Sequence, residues 1–306
     1  MARDVAAARR PAEPGSLRAW VLAARPPTLT ASVVPVIVGT ATGVVHASFR
    51  PAVFVATLLA SMCIQIGTNL ANDYSDYVNG ADTSARLGPP RAAQSGLLPP
   101  EAVRNAAAAV FGIAVICGAY LVTVGGWLIL AIGLVCVISG VLYTGGPWPF
   151  GYHGLGDLFV FVCFGLLGTA GSAYLQAGTI GAQAIANAVP VGLLITAILV
   201  VNNLRDFHTD RTTGKRTLAV ILGERATRLE YTALLVGTYL VPLGGWLSLR
   251  TSIWFWLPYL TLPLALQLGR VVWRAEGRAL NPALAGTARL TLLYGVALMA
   301  SVLLQR

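Results

Sequence analysis

Nine segments of the chain, each about 20 residues long, are predominantly apolar. They fall near residues 20–45, 51–72, 103–124, 126–143, 157–175, 184–204, 229–249, 252–272 and 286–304. A stretch of roughly that length is what an α-helix needs to cross the hydrocarbon core of a bilayer. The chain is therefore expected to be an all-α polytopic membrane protein with about nine transmembrane helices. Composition agrees: 56% of its 306 residues are hydrophobic and 11% are charged, against about 25% charged residues in soluble domains. Residues 1–18 are polar and rich in Arg, Ala and Pro, and read as a disordered arm. Residues 19–306 read as one transmembrane domain. Cys63, Cys117, Cys136 and Cys163 are scattered through the apolar segments without metal-ligand spacing, and read as small buried hydrophobes.

The basic residues give the orientation. Eighteen of the 21 precede the first segment or fall between segments two and three, six and seven, or eight and nine; only Arg50, Arg250 and Arg306 lie on the other side. Basic loops stay in the cytoplasm, so the N-terminus and the loops at 77–100 and 205–228 are expected there. The net charge of +9 then reports topology and does not call for nucleic acid. One Lys among 21 basic residues, with abundant Ala, Gly and Arg, points to a GC-rich bacterial genome and hence to a bacterial plasma membrane.

Both long cytoplasmic loops follow acids that close an apolar segment. The first is "NLANDYSDYVNGADT", residues 69–83, with Asp73, Asp76 and Asp82; the second is "VNNLRDFHTDRTTGKRT", residues 201–217, with Asp206 and Asp210. Spacings of three and four put each pair on one helix face, with Asn69 and Asn72, or Asn202, one turn earlier. The offset from Asp73 to Asp206 is near half the chain, a faint internal echo. An ionised acid deep in lipid costs about 3 kcal/mol or more. These acids therefore belong at a water-accessible mouth, with cations. Mg²⁺ fits, because it takes carboxylate oxygens and completes its shell with substrate phosphates. Arg86, Arg91, Arg211, Lys215 and Arg216 beside the acids suit the remaining anionic oxygens. A diphosphate on an apolar tail would set its head at this mouth and its tail among the helices. Mg²⁺ would neutralise the leaving diphosphate, and the allylic carbocation would need a dry, aromatic-lined pocket.

These motifs resemble those of the UbiA superfamily of intramembrane prenyltransferases, NDxxDxxxD and DxxxD, in the forms Asn72-Asp73-Tyr74-Ser75-Asp76 and Asp206-Phe207-His208-Thr209-Asp210. Gly80 stands where the family pattern has its third Asp, and the acid follows at Asp82. With "YTGGPWPFGYHGLGD" (143–157), "GKRTLAVILG" (214–223) and "LNPALAGTARL" (280–290), this form is similar to the MenA branch, which prenylates 1,4-dihydroxy-2-naphthoate in menaquinone synthesis. Pro147 replaces the lysine that the hydroxybenzoate branch carries four residues after its tyrosine. The resemblance implies a nine-helix bundle and Mg²⁺ ligation by Asp73, Asp76, Asp206 and Asp210, with Asp82 helping. It implies that Asn69, Asn72 and Asn202 orient the metal–diphosphate assembly, and that Lys215, Arg216 and Arg86 contact the diphosphate. Tyr143 is expected to stabilise the cation or position the acceptor. The implied substrates are a polyprenyl diphosphate and 1,4-dihydroxy-2-naphthoate; the products are demethylmenaquinol, CO₂ and diphosphate.

Three other readings share some of these features: another aromatic acceptor such as 4-hydroxybenzoate, a cation-coupled transporter, and an aspartyl intramembrane protease. Transporter sites lie near the midplane, whereas these acids cluster at one interface. "GLGD" at 154–157 matches a protease motif, but that chemistry needs two facing acids. Asp157 reads instead as an acid at a helix start after a Gly-rich turn.

Overall fold

The computed structural model of the protein describes residues 12–80, 87–248 and 252–305. Asp82 and Arg86 therefore lie outside the described residues, as does most of the expected N-terminal arm. Every regular element among the described residues is helical. Helices α1 (Leu17–Ala24), α2 (Thr30–Val44), α3 (Pro51–Val78) and α4 (Pro100–Leu142) come first. Next, α5 (Gly156–Val160), a π-helical stretch (Phe161–Ala170) and α6 (Gly171–Ala177) form one rod. Helix α7 (Ala182–Arg205) is followed by the short α8 (Phe207–Thr212) and α9 (Leu218–Leu222). Then come α10 (Glu224–Ser248), a 3-10 stretch (Ile253–Thr261) continuing into α11 (Leu262–Arg274), and α12 (Asn281–Leu304).

Six helical segments among the described residues are long and apolar enough to cross a membrane: Pro26–Val44, Pro51–Val78, Pro100–Leu142, Gly156–Ala177, Ala182–Arg205 and Gly277–Leu304. One of them serves two of the expected spans. A straight helix of 43 residues would be about 65 Å long, too long for a bilayer of about 45 Å with its headgroups. Gly126 breaks it, with φ 67° and ψ −156°, a conformation open to glycine. The second half folds back on the first: a Cβ on Gly140 would lie 2.3 Å from Thr68 Oγ1 and 3.6 Å from the Phe111 ring. Helix α10 and the Ile253–Arg274 rod occupy the seventh and eighth expected positions but are not among the six. The expected count of nine goes beyond what these segments establish.

The first expected span also starts later than the apolar run. Helix α1 ends at Ala24, Arg25 is left-handed at φ 53°, and Pro26–Leu29 form a 3-10 turn before α2 begins. Proline supplies no amide and pushes the residue before it out of the α region, so the Pro26-Pro27 pair divides the run.

Helix α2 is the central post. Val34 and Val38 pack with Leu194 and Val201 of α7 and with Leu290 and Tyr294 of α12, all buried. Small residues set how closely the rods approach. A Cβ on Gly39 would sit 2.1 Å from the Thr169 carbonyl oxygen, and one on Gly165 would sit 2.5 Å from the Gly192 Cα. These contacts fix the π-helical rod between α2 and α7, and with it the turn that precedes α5.

Candidate active site at the head of an apolar cavity

Helix α3 runs past the end of its apolar stretch to Val78, so its acids stay on helical backbone. Asp73 and Asp76 are each 1% exposed. The helix stops at Asn79, and Gly80 takes φ +64° just beyond it. A glycine at that position is the usual helix stop, which accounts for the missing third Asp: the position is needed for the turn.

Each polar side chain at this end of α3 is held from a different direction. Asn69 Nδ2 donates to the Ala24 carbonyl (3.0 Å) and to Thr28 Oγ1 (2.9 Å), tying α3 to the break before α2. Asn72 Oδ1 accepts from Thr144 Oγ1 at 2.7 Å. Asp73 accepts the backbone N–H groups of Ala92 (2.9 Å) and Ala93 (3.3 Å), which pulls the loop after residue 87 over the helix end. Asp76 takes two cations, Arg91 Nη2 at 2.6 Å and Lys215 Nζ at 3.1 Å, and also the Tyr152 hydroxyl.

The second motif sits at the end of α7. Asp206 leaves the helix at φ −91°, ψ 7° and begins α8. The Asp210 N–H still bonds the Asp206 carbonyl at 2.8 Å, so the two acids remain one turn apart, as their spacing implied. Arg205, 1% exposed, grips Asp206 through Nε–Oδ1 at 2.8 Å and Nη2–Oδ2 at 2.5 Å. Its Nη2 also donates to Asn202 Oδ1 (2.9 Å) and its Nη1 to Asn281 Oδ1 (3.1 Å). Asn281, at the start of α12, donates in turn to the Leu87 carbonyl at 3.2 Å. Arg205 thus joins the second motif, α12 and the loop that follows the first motif. Bidentate guanidinium–carboxylate pairing of this kind is directional as well as strong.

Lys215 reaches Asp76 across the site, with its ammonium 4.8 Å from the centre of the Tyr152 ring. It links the loop after the second motif directly to an acid of the first. Arg216 differs: its backbone N–H bonds the Tyr152 carbonyl at 3.1 Å, and its side chain is exposed. Of the expected diphosphate contacts, Lys215 is brought to the acids, Arg216 is not, and Arg86 lies outside the described residues. Arg91, expected from sequence as an anion contact, is brought to Asp76; two further contributors, Arg205 and Tyr152, are not singled out by the sequence reading. The Arg-Asp dyad at 205–206 is the available signal, because a charge adjoining a buried acid needs that acid as partner.

Tyr143 closes α4 and faces this assembly. Its ring packs edge-on against Phe150 at 5.5 Å. Burial, and then the carboxylates of Asp157, Asp210 and Asp76, push its hydroxyl above the ordinary value for tyrosine. Below it opens a cavity of about 350 Å³ between α2, α3, α4 and the Gly156–Ala177 rod. Tyr143, Phe150, Phe159 and Phe164 line it, and it runs outward to Leu175. Thr68, one turn before Asn72, lines it too. The cavity head therefore lies directly beneath the first motif.

Asp157 stands at a helix start, as expected, in the first turn of α5 after the Gly154 turn, but no side chain makes a capping bond to that helix. Asp157 is 6% exposed, and neither of its carboxylate oxygens has a hydrogen-bond partner.

The acids suit a hard divalent cation in kind, since they offer only oxygen donors and leave coordination positions for phosphate. They are not gathered around a single point: among the described residues no three His, Cys, Asp or Glu side chains stand close enough to share an ion. Asp206 is neutralised by Arg205, and Asp76 by Arg91 and Lys215, the groups best able to turn towards an arriving anion.

Residues 32–303 match the model of the UbiA prenyltransferase family. The chain is 38% identical over 299 residues to a 1,4-dihydroxy-2-naphthoate octaprenyltransferase of Escherichia coli strain K12, covering 94% of this chain and 96% of that one. It is 37% identical over 286 residues to the protein of the same name from Mycobacterium tuberculosis, covering 92% and 96%. A solved UbiA homolog from Archaeoglobus fulgidus, bound to GPP and Mg²⁺, shares the fold with a TM-score of 0.63 at 16% identity, over 92% of this chain and 99% of that one.

Proposed function

Because the chain belongs to the UbiA prenyltransferase family, we propose that it is a multi-pass membrane enzyme that transfers a polyprenyl group from an allylic diphosphate to 1,4-dihydroxy-2-naphthoate. Diphosphate and CO₂ leave, and demethylmenaquinol forms. The observation that carries this reading is the Lys215–Asp76 bond, which closes two aspartate motifs over the head of an apolar cavity. Relatives named for the naphthoate reaction over nearly their whole length support the choice of acceptor.

Asp73, Asp76, Asp206 and Asp210 would hold Mg²⁺, with Asp82 helping. Bound there, Mg²⁺ would neutralise charge on the leaving diphosphate. With a divalent cation and the diphosphate bound, Lys215 and Arg91, which now pair with Asp76, would be available to phosphate oxygens, while Arg205 would keep Asp206 and Asn202 in place. Arg216, whose side chain is exposed, would add to them, with Arg86 as a further diphosphate contact. Asn69, Asn72 and Asn202 hold the acids in register through the Thr28, Thr144 and Arg205 bonds. The polyprenyl tail occupies the cavity. Tyr143 and Phe150 face the allylic carbon, where their ring faces stabilise positive charge and their bulk excludes water. The excess of basic residues flanking the site supports a reading in which the site and the N-terminus face the cytoplasm of a bacterial cell.

The test is a detergent or nanodisc assay with labelled polyprenyl diphosphate and Mg²⁺, offering 1,4-dihydroxy-2-naphthoate and 4-hydroxybenzoate side by side. EDTA-sensitive transfer to the naphthoate is the expected result. Transfer to the benzoate alone would refute the acceptor, and no transfer to either would refute the naphthoate assignment and turn the test to another acceptor or to cation-coupled transport.

A further inference from the structure

Among the described residues, Asp157 is the one buried acid at this end of the bundle that the diphosphate chemistry leaves unused. Both of its oxygens lie away from water without a hydrogen-bond partner. Buried carboxylates are normally hydrogen-bonded, and each unpartnered one in a folded protein calls for a reason. The surroundings offer no internal remedy. The titratable groups within electrostatic reach are the Tyr143 phenol at the cavity head and Glu230 of α10. No ion pair to Asp157 forms.

Its position is set by the backbone. The turn before it carries Gly154 at φ +76°, and Gly156 packs so closely on Tyr143 that a Cβ there would lie 3.1 Å from the phenol oxygen. Asp157 is therefore one residue from the tyrosine that lines the cavity head. It also stands one helical turn before Val160, which lines the same cavity, and residues three apart share a helix face. The acid lies next to Tyr143, behind the cavity lining at the end where the allylic carbon would sit, and none of the groups that bind Asp73, Asp76 or Asp206 bonds to it.

Resting on the acceptor assignment made above, we propose that Asp157 is the catalytic acid–base group for the acceptor ring, and that its unfilled hydrogen-bonding capacity is reserved for the acceptor's hydroxyl. The carboxylate accepts a hydrogen bond from the hydroxyl next to the carboxyl-bearing ring carbon. As the allylic C–O bond breaks, its electron pair leaves with the diphosphate. That ring carbon then forms the new C–C bond, and the hydroxyl O–H bond gives its proton to Asp157. The hydroxyl becomes a carbonyl, which makes the ring substituent a β-keto carboxylate. Its C–C bond to the carboxylate breaks, CO₂ departs, and the electron pair moves into the ring and onto the carbonyl oxygen. Asp157 returns its proton to that oxygen, so no net proton is gained or lost.

The experiment compares wild type with Asp157→Asn and Asp157→Glu in nanodiscs, using saturating Mg²⁺, polyprenyl diphosphate and 1,4-dihydroxy-2-naphthoate. Asparagine keeps the shape but cannot carry the proton, so kcat for Asp157→Asn should fall about 100-fold or more. The KM for polyprenyl diphosphate and the thermal midpoint should stay near wild type. A ring-fluorinated naphthoate, whose hydroxyl is more acidic, should recover about tenfold of the lost rate in the variant and little in wild type. Asp157→Glu, which restores a carboxyl, should recover more rate than Asp157→Asn. Transfer by Asp157→Asn within about threefold of wild type would overturn the proposal, as would a variant that loses diphosphate binding and thermal midpoint together. A wild type that transfers nothing to the naphthoate would instead overturn the acceptor assignment and this inference with it.

Discussion

Arg205 offers the sharpest test of how the second motif is held. Its guanidinium makes four bonds of 2.5 to 3.1 Å to Asp206, Asn202 and Asn281. The side chains of the ion pair are 1% and 11% exposed, so solvent screening is slight. Arg205→Met keeps much of the volume but strands the Asp206 carboxylate. Breaking a buried pair from one side typically costs about 3–5 kcal/mol, because the remaining charge is left uncompensated. Summing four charged hydrogen bonds at about 1.5–3 kcal/mol each would overstate the loss, since the bonds share one group. For a chain of this length each kcal/mol shifts the unfolding midpoint by about 2 °C, so the expected drop is about 6–10 °C in Mg²⁺-free detergent at one fixed scan rate. Asp206→Asn in the same chain removes the stranded charge. The double variant should therefore recover at least half of the drop, a coupling that additive, unrelated defects would not produce. A drop under about 2 °C, or a double variant at the sum of the two single losses, would refute the reasoning.

The other expectations are more local. Thr144→Val removes the 2.7 Å bond to Asn72; it should lower stability by about 1 kcal/mol and raise the KM for polyprenyl diphosphate more than it lowers kcat. Lys215→Met removes one of the two cations on Asp76, so transfer at limiting diphosphate should fall about tenfold or more, because the lost interaction carries a charge. Gly165→Val places its Cβ 2.5 Å from the Gly192 Cα; the seam between the π-helical stretch and α7 should open, at a cost of about 1–3 kcal/mol from overpacking, seen as a lower thermal midpoint. Gly126→Ala forces a side chain into φ 67° and should lose about 1 kcal/mol or more, whereas Gly112→Ala, where no atom lies within 4 Å of the added Cβ, should be neutral by the same measurement.

Much of the frame was legible because lipid leaves a helix few options. Apolar runs of the right length located the rods, and Asn-Asp spacings placed their acids on one face. The end of α3 and the Asp206–Asp210 turn follow those spacings directly. Gly80 could be read as a missing acid but not as a helix stop, because the reason for it is a backbone angle.

The sequence by itself determined that the chain is helical and membrane-spanning, and which residues are the chemical candidates, since length, hydropathy and residue type are local properties. Only the tertiary structure decided how those candidates pair. Lys215 bonds Asp76, 139 positions away, while its neighbour Arg216 points outward. Arg205, counted at first as one more basic loop residue, is buried as the clasp of Asp206. Asp157, read correctly as an acid at a helix start, has both carboxylate oxygens buried without a hydrogen-bond partner, which its position in the chain could not show. Each outcome depends on which helix lies alongside which. Helix order is fixed by close glycine packing at Gly39, Gly165 and Gly192, and by the fold-back at Gly126. Those contacts join residues far apart in the chain, and no spacing along it encodes them.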